Sequence, residues 1–424
     1  MDVNAIADLG PTDREALFHR DAGVESARPT VRDILDRVET EGDAALRDYA
    51  ERFDDVSVGN IEITDLAAAA REEIDTEIET AIRTAAANIR AFHERQRPDD
   101  WRDSFDGRIL GRRYRPLERV GVYVPGGTAA YPSSALMGII PAAVAGVEHI
   151  AVVTPPADNI NPVTLAAIHI AGADSVYQVG GAQGIGALAY GTETIPSVQK
   201  IVGPGNRYVA AAKAEVVNIV EIDFLAGPSE LLVLCDETAD PTLVAADMVA
   251  QADHDADAAV VCVTNDEPTA SAVVEECSRL AEEQDRTAQI DAALSNDASG
   301  ILLARSLSEA ILFAEEYAAE HLTIMAADPE SILDRIDSAG SVFLGPHSPV
   351  AAGDYASGPN HVLPTGGLAK VTGGLSVDHF LRSTTVQKLD QAALADIRDT
   401  VTTLARAEGL EAHAASVEAR FRNE

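Results

Sequence analysis

Lysine is almost missing from this chain. Lys200, Lys213, Lys370 and Lys388 are the only four in 424 residues, and 69 acidic residues stand against 32 basic ones, for a formal charge of −37. A surface so poor in cations cannot neutralise many phosphates, which excludes nucleic acid as a partner. The acid is dispersed through segments that keep hydrophobic periodicity, so a disordered acidic tail is excluded as well. Dispersed Asp and Glu with so little Lys fit a cytoplasm rich in salt, where screening removes self-repulsion, and the acidity reads as adaptation rather than function. Cysteine is scarce too. Cys235, Cys262 and Cys277 have no metal-type spacing, and their odd number argues against a disulfide framework. Cys262, inside AAVVCVT, reads as packing in a buried strand. The start, MDVNAIADLG, lacks a basic region followed by an apolar run, so no signal peptide is expected. The longest apolar stretch, ALMGIIPAAVAGV, is broken by Pro141 and falls short of the ~20 residues a bilayer requires. A soluble, cytoplasmic protein is expected.

What is present is alternation. The first hundred residues are helical in pattern, and from RRYRPLERVGVYVPGG onward apolar strands alternate with helical stretches. VGVYVP, HIAVVTPP, SVYQVGG and KIVGPGN each precede a helix; after IDFLAGPSE the alternation starts again with ELLVLC, AAVVCVT, ILLARS and HLTIMAA. Such alternation means parallel strands with crossover helices. The expected fold is α/β, with two Rossmann-like parallel-sheet domains, a helical N-terminal segment and, from about Val377, a helical C-terminal tail.

Several features point to a ligand crevice. GPGN, AGPSE, LGPHS and SGPNH each carry a Gly-Pro turn, and the first three follow probable strands. Ligands of open α/β sheets collect beyond the carboxyl ends of strands, where Gly permits close approach and Pro fixes the turn. GIGALA (184–189) fits G-x-G-x-x-A, but no acidic residue ends a following strand about 20 positions on, as the dinucleotide fingerprint requires. In QADHD, Gln251 and His254 lie three apart on one face near a helix end: an exposed polar terminus, or part of a metal site. His254, His321, His361 and His413 each sit beside Asp, Glu or Asn. AEHL places Glu320 directly before His321 at a helix–strand junction, either as a proton-transfer pair or as a helix end carrying a favourable cation.

Taken together, GVYVPGG, GGAQGIGALAYGT, KIVGPGN, AGPSE, AQADH, AEHL, AGDYASGPNHVLPTGG and EGLEAHAAS resemble, in order and over nearly the whole chain, the histidinol dehydrogenases. The resemblance implies oxidation of L-histidinol to L-histidine with two NAD and one bound Zn²⁺ per subunit, the last step of histidine biosynthesis. It implies Gln251, His254, Asp354 and His413 as zinc ligands, and NAD near Tyr123, Gln183 and Asn206. Ser229, His361 and Glu408 would contact substrate beside the zinc ligands and His321, with Glu320 and His321 as the acid–base pair. It further implies a homodimer whose tail, carrying Glu408 and His413, completes the partner's site, and it credits GIGALA with no pyrophosphate. The departures are Asp253, where Glu is more usual, and Ala319, where Pro is common. The division then expected is an N-terminal arm (1–21), a first α/β domain (22–120 with 229–376), a second Rossmann-like domain (121–228) and the tail (377–424).

The residue types make physical sense of that chemistry. Gln, two neutral His and one Asp leave about one positive charge on Zn²⁺, which suits the neutral imidazole and amine of histidinol, so the metal mainly orients substrate. An imidazole suits the first proton transfer, and a carboxylate in a dry pocket suits activation of water on the aldehyde. A zinc hydrolase with Glu320 as base, or a non-catalytic binding protein, are the alternatives from other classes.

Overall fold

The computed structural model describes residues 1–20, 23–126 and 130–421. The expected boundary at 21–22, Gly127 of GVYVPGG and the last three residues of the tail lie outside the described residues. The chain forms two compact units, Met1–Gln96 with Leu117–Phe380, and Arg97–Pro116 with Leu381–Glu424.

The larger unit holds two parallel sheets. The first has six strands in the order Val3–Ala5, Gly300–Leu303, Ala259–Thr264, Glu230–Cys235, His321–Met325, Ser341–Leu344. The second has five, in the order Ser175–Gln178, His149–Thr154, Arg119–Tyr123, Lys200–Val202, Glu221–Ile222. The strands Glu230–Cys235, Ala259–Thr264 and His321–Met325 are buried at every position, because crossover helices cover both faces. Helix starts follow local chemistry: Asn161, Asp240 and Asp328 cap helices with Pro at the first turn, each accepting a backbone N–H. Cys235, Cys262 and Cys277 are free thiols packed in the six-stranded sheet's core. Among the described residues no helix is long and apolar enough to cross a membrane.

The N-terminal helices differ from the expected division. Val24–Glu41 and Asp43–Phe53 share a core with the five-stranded sheet, and Val24–Glu41 packs on the helices Gly181–Tyr190 and Arg207–Val216. Thr76–Glu94 packs on Pro132–Ala145 and Pro162–Ala171, which flank the same sheet. Residues 24–94 thus cover the second sheet, not the first. An amphipathic stripe reveals that a helix has a buried face, not which surface buries it.

The small unit has an antiparallel sheet in the order Leu381–Lys388, Arg108–Pro116, Trp101–Phe105, followed by the helices Gln391–Ala407 and Glu411–Glu418, packed on one another. The stretch expected as a helical tail from Val377 opens with a short 3-10 helix, Val377–Phe380, and then, before its two helices, runs as a strand. Thr384, Thr385 and Val386 are β-branched and favour that conformation. Gly111 is required in this sheet, since a Cβ there would stand 2.2 Å from the Trp101 carbonyl oxygen.

Candidate active site

The candidate residues fall at opposite ends of the two sheets. Tyr123 ends its strand in the five-stranded sheet, Asn206 follows Lys200–Val202, and Gln183 lies in the helix after Ser175–Gln178. All three stand at carboxyl ends of parallel strands, as expected. In the six-stranded sheet, by contrast, Glu320 and His321 stand at the amino end of His321–Met325, and AGPSE leads into the amino end of Glu230–Cys235. Of the Gly-Pro turns, GPGN follows the carboxyl end of Lys200–Val202 and LGPHS that of Ser341–Leu344, whereas AGPSE leads into the amino end of Glu230–Cys235.

Glu320 and His321 are both buried, 6% and 4% exposed, so His321 is not the surface cation of an ordinary helix end. Ala318, in left-handed backbone (φ 52°), turns the chain out of the helix Leu307–Tyr317 and sends residues 319–320 into the sheet. Glu320 Oε2 accepts the Glu230 N–H at 2.8 Å, and His321 Nδ1 donates to the Glu230 carbonyl at 3.1 Å. That bond commits the Nδ1 proton and leaves Nε2, which has no hydrogen-bond partner, as the ring's reactive nitrogen. Asp354 Oδ1 lies 3.5 Å from it. Burial pushes the Glu320 carboxyl up strongly, the more so for the nearby Glu230 and Asp354 charges, while His321 pulls it back. Burial works against the His321 imidazolium, but Glu320 and Asp354 outweigh it and hold the ring above its ordinary value. The two titrate as a pair.

His321 and Asp354 line a cleft with Phe343, Asn360, His361 and Leu363. His361 Nδ1 donates to the Asp354 carbonyl at 2.8 Å, which likewise leaves its Nε2 free, and burial lowers its pKa. Burial would raise Asp354, yet the His321, His361 and His254 rings together hold its carboxylate below the usual range. Ser229, half-buried, directly precedes Glu230, and its carbonyl accepts the Ala259 N–H.

Gln251 lies in the helix Pro241–Ala252, and His254 follows just past its end. His254 Nε2 lies 3.8 Å from Asp354 Oδ2, too long for a hydrogen bond. Gln251 is 3% exposed and its Nε2 has no partner. Turned so that its oxygen takes the place of the unpartnered Nε2, the Gln251 amide joins an imidazole and a carboxylate that face each other without bonding in a donor set that fits a zinc ion. Among the described residues no three His, Cys, Asp or Glu side chains form a metal-holding group, so the set depends on the glutamine and on a further ligand. His413 lies in the helix Glu411–Glu418 and Glu408 caps Gln391–Ala407; both are exposed and both belong to the small unit.

Around Tyr123 the second sheet is tightly built. Its hydroxyl, buried and pushed up to about 12, accepts the Gly181 N–H at 3.0 Å. A Cβ on Gly203 (φ 110°) would stand 2.2 Å from the Tyr123 carbonyl oxygen, so only glycine lets the GPGN loop lie there. Asn206 Oδ1 accepts from the Tyr208 and Val209 N–H groups and caps the helix Arg207–Val216. Gln183 is buried. GIGALA is mid-helix, in Gly181–Tyr190, and a Cβ on Gly186 would meet Leu35 at 2.9 Å. Gly186 serves helix packing, and Gly184 lies against the Val179 backbone.

Two residues of this site escaped the sequence reading: Glu230 and Arg20, whose side chains meet behind the acid–base pair. A charged residue heading the apolar strand ELLVLC was the available signal for Glu230.

A family model for histidinol dehydrogenase matches residues 18–421. The chain is 70% identical over 421 residues to the histidinol dehydrogenase of Natronomonas pharaonis, covering 99% of this chain and 100% of the relative. It is 66% identical over 425 residues to that of Halobacterium salinarum, covering 100% of both. The crystal structure of histidinol dehydrogenase from Elizabethkingia anophelis superposes with a TM-score of 0.94 at 37% identity, covering 100% of this chain and 98% of that one. Matched so nearly end to end, the chain belongs to the histidinol dehydrogenase family.

Proposed function

We propose that the Glu320–His321 pair carries out both proton transfers in a four-electron oxidation of L-histidinol to L-histidine, with two NAD as hydride acceptors. Histidinol oxidation, the last step of histidine biosynthesis, is the reaction of the family. The observation that carries the assignment is the commitment of His321 Nδ1 to the Glu230 carbonyl, with Nε2 unpartnered at the cleft. In the neutral ring His321 Nε2 accepts the alcohol proton as hydride leaves carbon for the first NAD, and Glu320 and Asp354 stabilise the imidazolium so formed. Glu320, its carboxyl made more basic by burial, then takes a proton from the water that attacks the aldehyde, and the hydrate yields the second hydride. Holding the reactive amino aldehyde in a closed cleft explains why one site performs both steps.

Tyr123, Gln183 and Asn206 are the NAD contacts on this reading; Ser229, His361 and Glu408 hold substrate. Gln251, His254, Asp354 and His413 would hold one zinc ion per subunit, which when bound supplies a cationic template for the neutral imidazole and amine of histidinol. Glu408 and His413 are assigned to the partner's site in a homodimer. Support comes from the small unit, whose Trp101, Phe105, Ile109, Leu404 and Leu410 are exposed large apolar side chains, as an association surface requires. A charge of −37 supports a salt-rich cytoplasm as the working environment.

The test is the ratio of NADH formed to histidinol consumed by metal-loaded protein at high salt, with and without a chelator. Two NADH per histidinol, lost on chelation, is the expected result. No NADH from the metal-loaded protein would overturn the proposal in favour of a hydrolytic site.

A further inference from the structure

We infer that Glu230, locked in place by Arg20, is the positioning residue for the Glu320–His321 pair; the inference rests on the acid–base reading above. The peptide group of Glu230 holds both side chains at once. Its N–H donates to Glu320 Oε2 at 2.8 Å and its carbonyl accepts from His321 Nδ1 at 3.1 Å. The first bond fixes one carboxylate oxygen and leaves the other for water; the second fixes the tautomer that makes Nε2 the acceptor. A rotation of this one peptide would misplace both groups.

The Glu230 side chain is what resists that rotation. It is fully buried, and its two oxygens are tied in three directions. Oε2 accepts from Arg20 Nη1 at 2.6 Å and from the Glu320 N–H at 3.3 Å, and Oε1 accepts from the Gly366 N–H at 2.5 Å. Glu230 and Glu320 therefore exchange hydrogen bonds, the amide of each donating to the carboxylate of the other. Gly366 belongs to the segment that carries Asn360 and His361 into the cleft, and the same segment is tied again by Gly227 N–H to Thr365 Oγ1 at 2.6 Å. Arg20 in turn is held by the Tyr317 carbonyl at 2.8 Å and stacks 3.9 Å from the centre of the Tyr317 ring. Tyr317 is the last residue of the helix that delivers Glu320. One buried network thus connects the acid–base pair, the strand beneath it, the helix before it and the cleft wall opposite.

Fold stability alone does not account for this pair. Arg20 and Glu230 side chains are 2% and 0% exposed, and an ion pair that deep is costlier to desolvate than apolar residues of the same volume. Its charge balance also matters locally. Arg20 neutralises Glu230, so Glu320 and Asp354 are the carboxylates left to interact with His321.

The test uses metal-loaded protein at high salt and follows histidinol oxidation and histidinaldehyde oxidation separately. Glu230→Gln keeps the size of the side chain but leaves Arg20 without its counter-charge. The expected result is a kcat lowered ~10- to 100-fold in both steps, with KM for histidinol within ~3-fold and a cooperative melt retained. Arg20→Lys should retain more kcat than Arg20→Met, because charge survives where the fork is lost. In histidinaldehyde oxidation, adding Glu230→Gln to Glu320→Gln should cost less than ~3-fold further, since the first acts through the second. A merely structural role would lower the melting temperature without this non-additivity. Should Glu230→Gln fail to fold, the two Arg20 variants combined with Glu320→Gln carry the same test. A folded Glu230→Gln at full kcat, beside an impaired Glu320→Gln, overturns this inference alone. Unimpaired histidinaldehyde oxidation by Glu320→Gln overturns the acid–base reading and this inference with it.

Discussion

Asp54 carries a half-buried carboxylate whose enclosed oxygen nothing compensates. It ends the helix Asp43–Phe53, its Oδ2 has no hydrogen-bond partner, and burial pushes its pKa up to about 6. The folded state thus favours the protonated acid over the unfolded chain, whose Asp titrates near ~3.9. The sign follows from proton linkage: between these values the folded state binds more protons, so stability falls as pH rises through the interval. Above about pH 6 the carboxylate opposes folding in full; below about pH 4 it has no effect. Asp54→Asn should therefore raise the melting temperature by ~1–3 °C at pH 7.5, with the gain vanishing near pH 4. Melts of parent and variant across that range at fixed salt check it, and a gain independent of pH would refute it. The same contrast separates buried acids that work from those that do not: Glu320 is deeper than Asp54, yet satisfied by the Glu230 amide and set against an imidazole.

Among the secondary-structure elements, the helix Gly181–Tyr190 shows how a cofactor-like pattern arises from packing. A Cβ on Gly186 would stand 2.9 Å from Leu35 and 3.4 Å from Val38, both on the N-terminal helix Val24–Glu41. Gly186→Ala should lower stability by about 1–3 kcal/mol through this overpacking and leave KM for NAD unchanged in the folded protein. Chemical denaturation with parallel NAD titration measures both, and a weakened KM at unchanged stability would return the glycines to the cofactor. Pattern reading succeeded where the signal is local. Continuous apolar runs such as ELLVLC announced buried parallel strands, the spacing of Gln251 and His254 placed both at one helix end, and the adjacency of Glu320 and His321 survived folding as a contact. It failed where the answer lies in a distant segment. Leu381–Lys388 is a strand because Arg108–Pro116 pairs with it, and residues 24–94 cover the second sheet because complementary helices lie there. Glu230 was missed for a related reason: its partners Arg20, Glu320 and Gly366 are 210, 90 and 136 residues away.

At the scale of the whole molecule, charge is the property that the fold must tolerate. The surface has paired what it can: Arg279 bridges Glu276 and Glu283, Arg37 bridges Glu41, and Arg32 bridges Glu215. Pairs this exposed contribute little each, and 69 acids against 32 basic residues leave 37 negative charges in excess. That repulsion is long-range at low ionic strength, where screening extends ~30 Å at 0.01 M, and is confined to ~3 Å at 1 M. The melting temperature should therefore climb by ~10 °C or more between about 0.1 M and 2 M KCl, steeply at first and flattening once the screening length falls below the spacing of neighbouring carboxylates. Sodium and potassium chloride should act alike, since screening depends on ionic strength and not on ion identity. A set of exposed Asp and Glu exchanged for Asn and Gln on the helix Glu267–Glu282, away from the cleft, should flatten the climb while leaving kcat at high salt as it was. A melting temperature indifferent to salt would mean that the excess charge is neutralised by something other than screening, and the acidic surface would then need a different explanation from adaptation to brine.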